Sequence, residues 1–406
     1  MKTVLVFSIL LVAGLVLAQW LPAWLGPAAD AGHLVIHLLT MTALAYIMVH
    51  VGMEFHIDKT RLGEYGWDYI VAMTAAAGPW LLVALYFIFI LVPSNQWSNG
   101  HVWQESLLVS RFAAPTSAGV LFSMLAAAGM RHTWVFRKAR VLAIFDDLDT
   151  VLLMIPLKMM MVGVAWQLVV MLFVFAAMLA AAWRWMRSIR LPMSWPWVLT
   201  YSALIAVASQ GVSYASKLID RQVPIDIEVL LPAFLLGVAL RPPRAQDRDP
   251  EQHHREERVS ILISGVFMLL VGLNMPPMLM SWQQAAAENA AQEQSILSQL
   301  TMPPWHILAL HVVIVTALCN LGKMFPAFCY RKEAHWRLRT GVAVGMWPRG
   351  EVGAGVLVVS LGYGIAGPAM TIAVLSLALN LVLTGLFILL VKRLIEGHTE
   401  NDQSQN

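Results

Sequence analysis

Apolar stretches long enough to cross a bilayer recur from one end of this 406-residue chain to the other. They fall near 3–21, 34–53, 67–92, 105–130, 141–161, 164–183, 195–213, 225–240, 259–280, 303–330, 340–361 and 367–391. A spanning helix needs about 20 apolar residues, because each adds 1.5 Å across a hydrocarbon core of about 30 Å. In lipid every backbone N–H and C=O must be paired internally, and windows this long and continuous meet that demand as helices. The chain therefore reads as an all-α polytopic membrane protein of about twelve transmembrane helices. Composition agrees, with 59% hydrophobic and 13% charged residues, and excludes a soluble enzyme. The longest polar stretches, 241–258, 281–302 and the tail after Lys392, are each too short to fold alone.

Basic residues set the orientation. With Lys2 in the cytoplasm, alternate loops should be basic. They are: Lys59 and Arg61; Arg131, Arg137, Lys138 and Arg140; Arg184, Arg187 and Arg190; five Arg in 241–258; Arg331, Lys332, Arg337 and Arg339; then Lys392 and Arg393. The opposite loops carry only Lys217 and Arg221. This pattern predicts both termini in the cytoplasm. Residues 1–18 also resemble a cleavable signal peptide, and the topology count favours a retained first helix. Cys319 and Cys329 share one apolar segment, which argues against a disulfide framework.

Three acids stand in the first half of the fifth window: Asp146, Asp147 and Asp149. Each buried Asp costs roughly 2.5–3.5 kcal/mol in a membrane helix, so together they cost about 8–10 kcal/mol unless a cavity, a counter-charge or a bound ion offsets it. Such residues point to ion or proton handling. Arg111, Lys158, Lys323, Arg349 and Glu351 complete the intramembrane set, with Glu54 and Glu105 near span ends where solvent can reach them. Lys158 reads as a side chain snorkelling to the interface. His253-His254 reads as part of a solvated linker rather than a metal site. The Gln/Ala-rich 281–302 reads as an external loop.

Two spans are interrupted. The fourth contains Pro115, Thr116, Ser117 and Gly119; the eleventh contains Pro348, Gly350, Gly353 and Gly355. Broken helices at corresponding positions of two halves are the best sequence pointer to a transporter's ion site. The spacing fits inverted repeats near 3–161 and 225–391, with 164–213 as linker helices. It predicts a membrane domain over 1–391 with two broken, crossing helices, and a cytoplasmic tail over 392–406.

With these motifs in place the chain resembles the monovalent cation/proton antiporters. The resemblance runs over roughly 50–395, through VGMEFHIDKTRL (51–62), the Asp146-Asp147 span, LLPAFLLGVAL (230–240), GVFMLLVGLNM (265–275), ALCNLGKMFPAF (317–328) and MWPRGEVGAGV (346–356). The chain departs from the family in three ways. Many members have thirteen spans. Many carry an Asp in the fourth span, where this chain has Ala114-Pro115-Thr116-Ser117. The chain also has no stretch matching the nucleotide-binding regulatory domain of related potassium-efflux proteins.

The resemblance implies a secondary antiporter, not an enzyme, in which cation and proton compete for Asp146 and Asp147. Thr116, Ser117 and backbone carbonyls are the ligands left in the fourth span. Lys323 is the counter-charge, and a lysine facing an Asp-Asp pair resembles the electrogenic members. Arg349 and Glu351 pair with each other or with Glu54 or Arg111, in a network that holds the broken helix. Asp149, three residues after Asp146 on the same helix face, either extends the ion path or sits near its mouth. No cofactor is implied, and no metal beyond the transported cation. The expected partners are sodium, with lithium or potassium as alternatives, protons, the lipid bilayer and a second copy of the chain; nucleic acid is not among them. The expected place is a bacterial inner membrane. Two rival readings remain: a potassium/proton exchanger, and a non-transporting sensor or subunit that kept the fold.

Overall fold

The computed structural model describes residues 2–26, 29–54, 62–162, 166–185, 188–219, 229–241, 250–275 and 295–404. Helix covers part or all of each of the twelve apolar windows. The elements are α1 (Lys2–Leu25), α2 (Ala29–Glu54), α3 (Leu62–Tyr86), α4 (Gly100–Ser110), α5 (Ala118–Ala127), α6 (Trp134–Val162), α7 (Trp166–Trp185), α8 (Trp195–Ile219), α9 (Leu230–Ala239), α10 (Pro250–Leu273), α11 (Trp305–Gly322), α12 (Trp336–Gly345), α13 (Glu351–Gly362) and α14 (Gly367–Ser404). Among the described residues, seven stretches are long and apolar enough to cross a membrane. The Asp-rich α6 is not one of them, and the apolar parts of α7, α9 and α13 are shorter.

The chain divides into two compact units. The first comprises Met1–Trp24, Gly63–Thr150 and Val271–Asn406. In it α1 packs through Leu11 and Gly14 against Gly272, and through Ser8 against Gly385. A Cβ on Gly78 would strike the carbonyl of Gly322, and one on Gly322 would strike Pro79. Glycine at both positions thus lets the backbones of α3 and α11 touch beside Lys323. Tyr86 and His311 join the same two helices by a hydrogen bond of 2.6 Å. The second unit comprises Leu25–Leu62 and Val151–Leu270. There α2 lies along α8 and α9, with Gly52 and Gly237 at a backbone-to-backbone contact.

Several features differ from the sequence expectation. Lys158 is 4% exposed and does not snorkel to a surface. His253 and His254 lie in α10, which begins at Pro250, rather than in a linker. Lys138 belongs to α6 rather than a loop and is buried. Glu105 is also buried: its carboxylate accepts from the Ser295 hydroxyl at 2.8 Å and from the N–H groups of Ile296 and Leu297 at 3.1 and 2.9 Å. Most of the loop expected over 281–302 lies outside the described residues, which resume at Ser295. Helix α14 runs through the expected tail to Ser404.

Candidate ion-binding site

The two interrupted spans cross at their breaks. In the fourth, α4 tightens into a 3₁₀ turn over Arg111–Ala113 and then opens before Pro115, which has no N–H to continue the ladder. Helix α5 restarts with Ser117 as its N-cap, the hydroxyl accepting from Val120 N–H at 3.3 Å. In the eleventh, α12 ends at Gly345, residues 347–350 carry no helix, and α13 begins at Glu351. The open segments bind each other: Ser117 N–H donates to the Pro348 carbonyl at 2.9 Å, and the Thr116 hydroxyl to the Met346 carbonyl at 3.0 Å. Helix ends carry four unpaired backbone groups each, so the crossing concentrates donors and acceptors in an apolar interior.

Asp146 on α6 reaches this crossing. Its Oδ2 accepts from Thr116 N–H at 2.7 Å and from Lys323 Nζ at 2.8 Å. Lys323 Nζ also donates to the Thr116 hydroxyl at 2.9 Å. Both side chains of the Lys323–Asp146 pair are 0% exposed. Asp146 Oδ1 is buried and accepts no hydrogen bond among the described residues. Asp147, also buried, projects about 100° further round the helix and lies within electrostatic reach of Lys323. The ammonium thus singles out the first acid of the pair.

Among the described residues, the partners of Arg349 form a hydrogen-bond network; the carboxylates expected to pair with it, Glu351 and Glu54, fall outside them. Its guanidinium donates to the carbonyls of Ala113, Trp347 and Cys319 at 3.0, 3.0 and 2.7 Å and to Asn320 Oδ1 at 3.0 Å. Asn380 closes the ring, giving Nδ2 to Asn320 Oδ1 and accepting Arg349 N–H, both at 3.0 Å. The physical reason is the break itself: orphaned carbonyls at helix ends suit a planar fork of donors. Arg111 does not join that ring. It donates to the Asp149 carbonyl at 3.1 Å and stacks 4.9 Å from the centre of the Trp80 ring. Asp149 is buried, with the Tyr69 hydroxyl as a neighbour. The side chains of Glu54 and Glu351 lie outside the described residues.

The family model described as the transmembrane sodium/hydrogen exchanger matches residues 3–392. The chain belongs to that family. The sodium proton antiporter MjNhaP1 from Methanocaldococcus jannaschii, solved at pH 8, is similar to this exchanger in fold. The two are 15% identical with a TM-score of 0.56, over 93% of this chain and 92% of that chain. No curated protein matches. The exchanger is a multi-pass membrane protein and a cation/proton antiporter; members of its family are transporters, not enzymes.

Sequence reasoning missed several residues of this candidate site. Asn320 and Asn380 are lone amides in apolar helices, and Asn320 stands three residues before Lys323, on one helical face. That spacing was the available signal. The Thr116 N–H and the carbonyls that hold Arg349 carry no side-chain signature at all.

Proposed function

We propose that this exchanger trades sodium for protons by alternating access, with Asp146 and Asp147 as the shared site and Lys323 as the group the cation displaces. The observation that carries this reading is the Lys323–Asp146 pair, fully buried at 2.8 Å where the broken helices cross. A hard cation seeks oxygen donors. Asp146, Asp147 and the hydroxyls of Thr116 and Ser117 supply them, beside the Met346 and Pro348 carbonyls, each with a second lone pair. In the empty site the ammonium neutralises Asp146. An arriving cation takes over that role and releases Lys323, whose proton then leaves with one from the acid pair. More than one proton per cation makes the exchange electrogenic.

Reorientation belongs to the bundle that carries the crossed breaks, built from inverted repeats near 3–161 and 225–391. Arg349 and its carbonyl ring hold the break while the bundle moves, and Arg111 and Asp149 line its approach. The Lys/Arg asymmetry of the loops supports both termini in the cytoplasm, and a bacterial inner membrane is the expected place. A homodimer is the expected assembly.

The test is cation-driven pH change in proteoliposomes, scanned over sodium, lithium and potassium. Asp147→Asn should abolish it; undiminished exchange would remove Asp147 from the site. A sodium rate that ignores a valinomycin-clamped potential would reject electrogenic exchange. A response to potassium alone would favour the potassium exchanger, and no response to any cation would favour the sensor.

A further inference from the structure

A second buried ion cluster lies in the first unit, near the N-terminal end of α6. Lys138 Nζ bonds Asp68 on α3 at 2.9 and 3.3 Å and Glu333 at 3.0 Å. It also sits 4.1 Å from the centre of the Tyr330 ring, a cation–π distance. The Tyr330 hydroxyl donates to Asp68 at 2.7 Å, and Trp134 meets the same ring edge-on. Asp68, Lys138 and Tyr330 are buried, while Glu333 is partly exposed. Tyr330 has φ 57°, a left-handed conformation that costs a non-glycine residue roughly 1 kcal/mol. The cluster, not local preference, holds it there.

Nothing in the exchange scheme uses these residues, yet they lie on the elements that carry its ion pair. Lys138 precedes Asp146 by eight residues on one continuous helix, about 12 Å along its axis. Tyr330 follows Lys323 by seven residues, across one turn of helix at Phe325–Phe328. Arg339 on α12 secures that stretch through the carbonyls of Ala327 and Cys329, at 3.1 and 3.2 Å. Two chain segments are thus pinned together twice, by Lys323–Asp146 at one end and by the Tyr330–Lys138–Asp68 cluster at the other. A slip of one residue along α6 is about 1.5 Å, enough to break either pin.

We propose that Asp68, Lys138 and Tyr330 are positioning residues that set the register of Lys323 against Asp146. The proposal rests on the ion-site reading above and extends it to residues that never touch the ion. The cluster joins α3, α6 and the segment between α11 and α12 at one end of the unit, so it acts on the site through the backbone of α6 and of residues 323–330.

The test uses the full chain carrying Asp68→Asn together with Lys138→Met, which removes both partners and strands neither charge of the pair. Amide hydrogen exchange is followed over 321–324 and 330–334, beside sodium titrations in proteoliposomes. Exchange should speed up in both segments. The apparent KM for sodium should rise about threefold or more while the maximal rate stays within about twofold, the signature of a misplaced site rather than a lost one. Lys138→Arg should restore wild-type behaviour. Tyr330→Phe, which removes only the hydroxyl, should give the same pattern more weakly and serves where the paired variant fails to fold. Acceleration confined to 330–334, with 321–324 as in wild type, overturns the proposal. The amide readout needs no transport, so it decides the positioning role even if sodium exchange is absent, a result that would strike the ion-site reading alone.

Discussion

The Lys323 ammonium lies 2.8 Å from the Asp146 carboxylate, and neither side chain reaches solvent. Each is the other's neutralising partner in a medium that tolerates neither alone. Removing one therefore costs more than removing both. Lys323→Met should destabilise the protein by roughly 3–5 kcal/mol, and adding Asp146→Asn should recover most of that loss. Thermal unfolding of the two purified variants beside wild type checks both statements.

Thr116 holds Asp146 with its backbone and Lys323 with its side chain. Thr116→Val keeps the first contact and deletes the second. The expected outcome is retained exchange with the apparent sodium affinity changed by roughly ten- to a hundredfold, the scale of one hydrogen bond to a charged group. Thr116→Ser should behave as wild type. Sodium titrations of exchange in proteoliposomes measure the shift.

Arg349 occupies four oxygens with one planar group. Lysine carries the charge but cannot reach all four. Arg349→Lys should cost about 1.5–3 kcal/mol for each bond left unmade. Asn380→Ala, which deletes one donor and one acceptor at the edge of the ring, should cost less. Denaturation monitored by tryptophan fluorescence ranks the two.

Glu105 fixes the segment 295–297 through three donors. Glu105→Ala leaves those donors without their acceptor and should expose that segment to proteolysis. Limited digestion followed by mass spectrometry should place new cleavage between Ser295 and Gln299, with other sites unchanged.

Burial, followed by the neighbouring Asp68 carboxylate, pushes the Tyr330 hydroxyl well up from its ordinary value. The folded value lies above the unfolded value of about 10, so the contribution of the hydroxyl is fully present below about pH 10 and is lost as pH rises beyond it. The melting-temperature gap between wild type and Tyr330→Phe should therefore be constant from about pH 6 to 9 and shrink above about pH 10. A pH series of paired melts reads it directly.

Much of this was legible in the chain because membrane folding leaves loud signals. Apolar windows mark the helices, and Asp146 and Lys323 stand out because a charge in such a window needs a reason. Pro115 and Pro348 marked the breaks for an equally local cause, the missing N–H. What stayed hidden was pairing. Arg349 invited a carboxylate partner, and its partners among the described residues are mainly carbonyls, which every residue has and no sequence advertises. Lys138 counted as one more basic loop residue, because its burial depends on Asp68 and Tyr330, 70 and 192 positions away. Glu105 passed as a span-end acid for the same reason: its donors lie near position 296.

The contact between Gly78 and Gly322 brings the backbone of α3 against α11 one residue before Lys323. The main chains of the two helices have no room to close further there. Under the proposed exchange, the lysine would leave Asp146 by swinging its own side chain, a motion of rotamers rather than of helices. A side chain at either glycine would force α3 and α11 apart next to the Lys323–Asp146 pair, so the spacing of these two helices there is set by bare backbone.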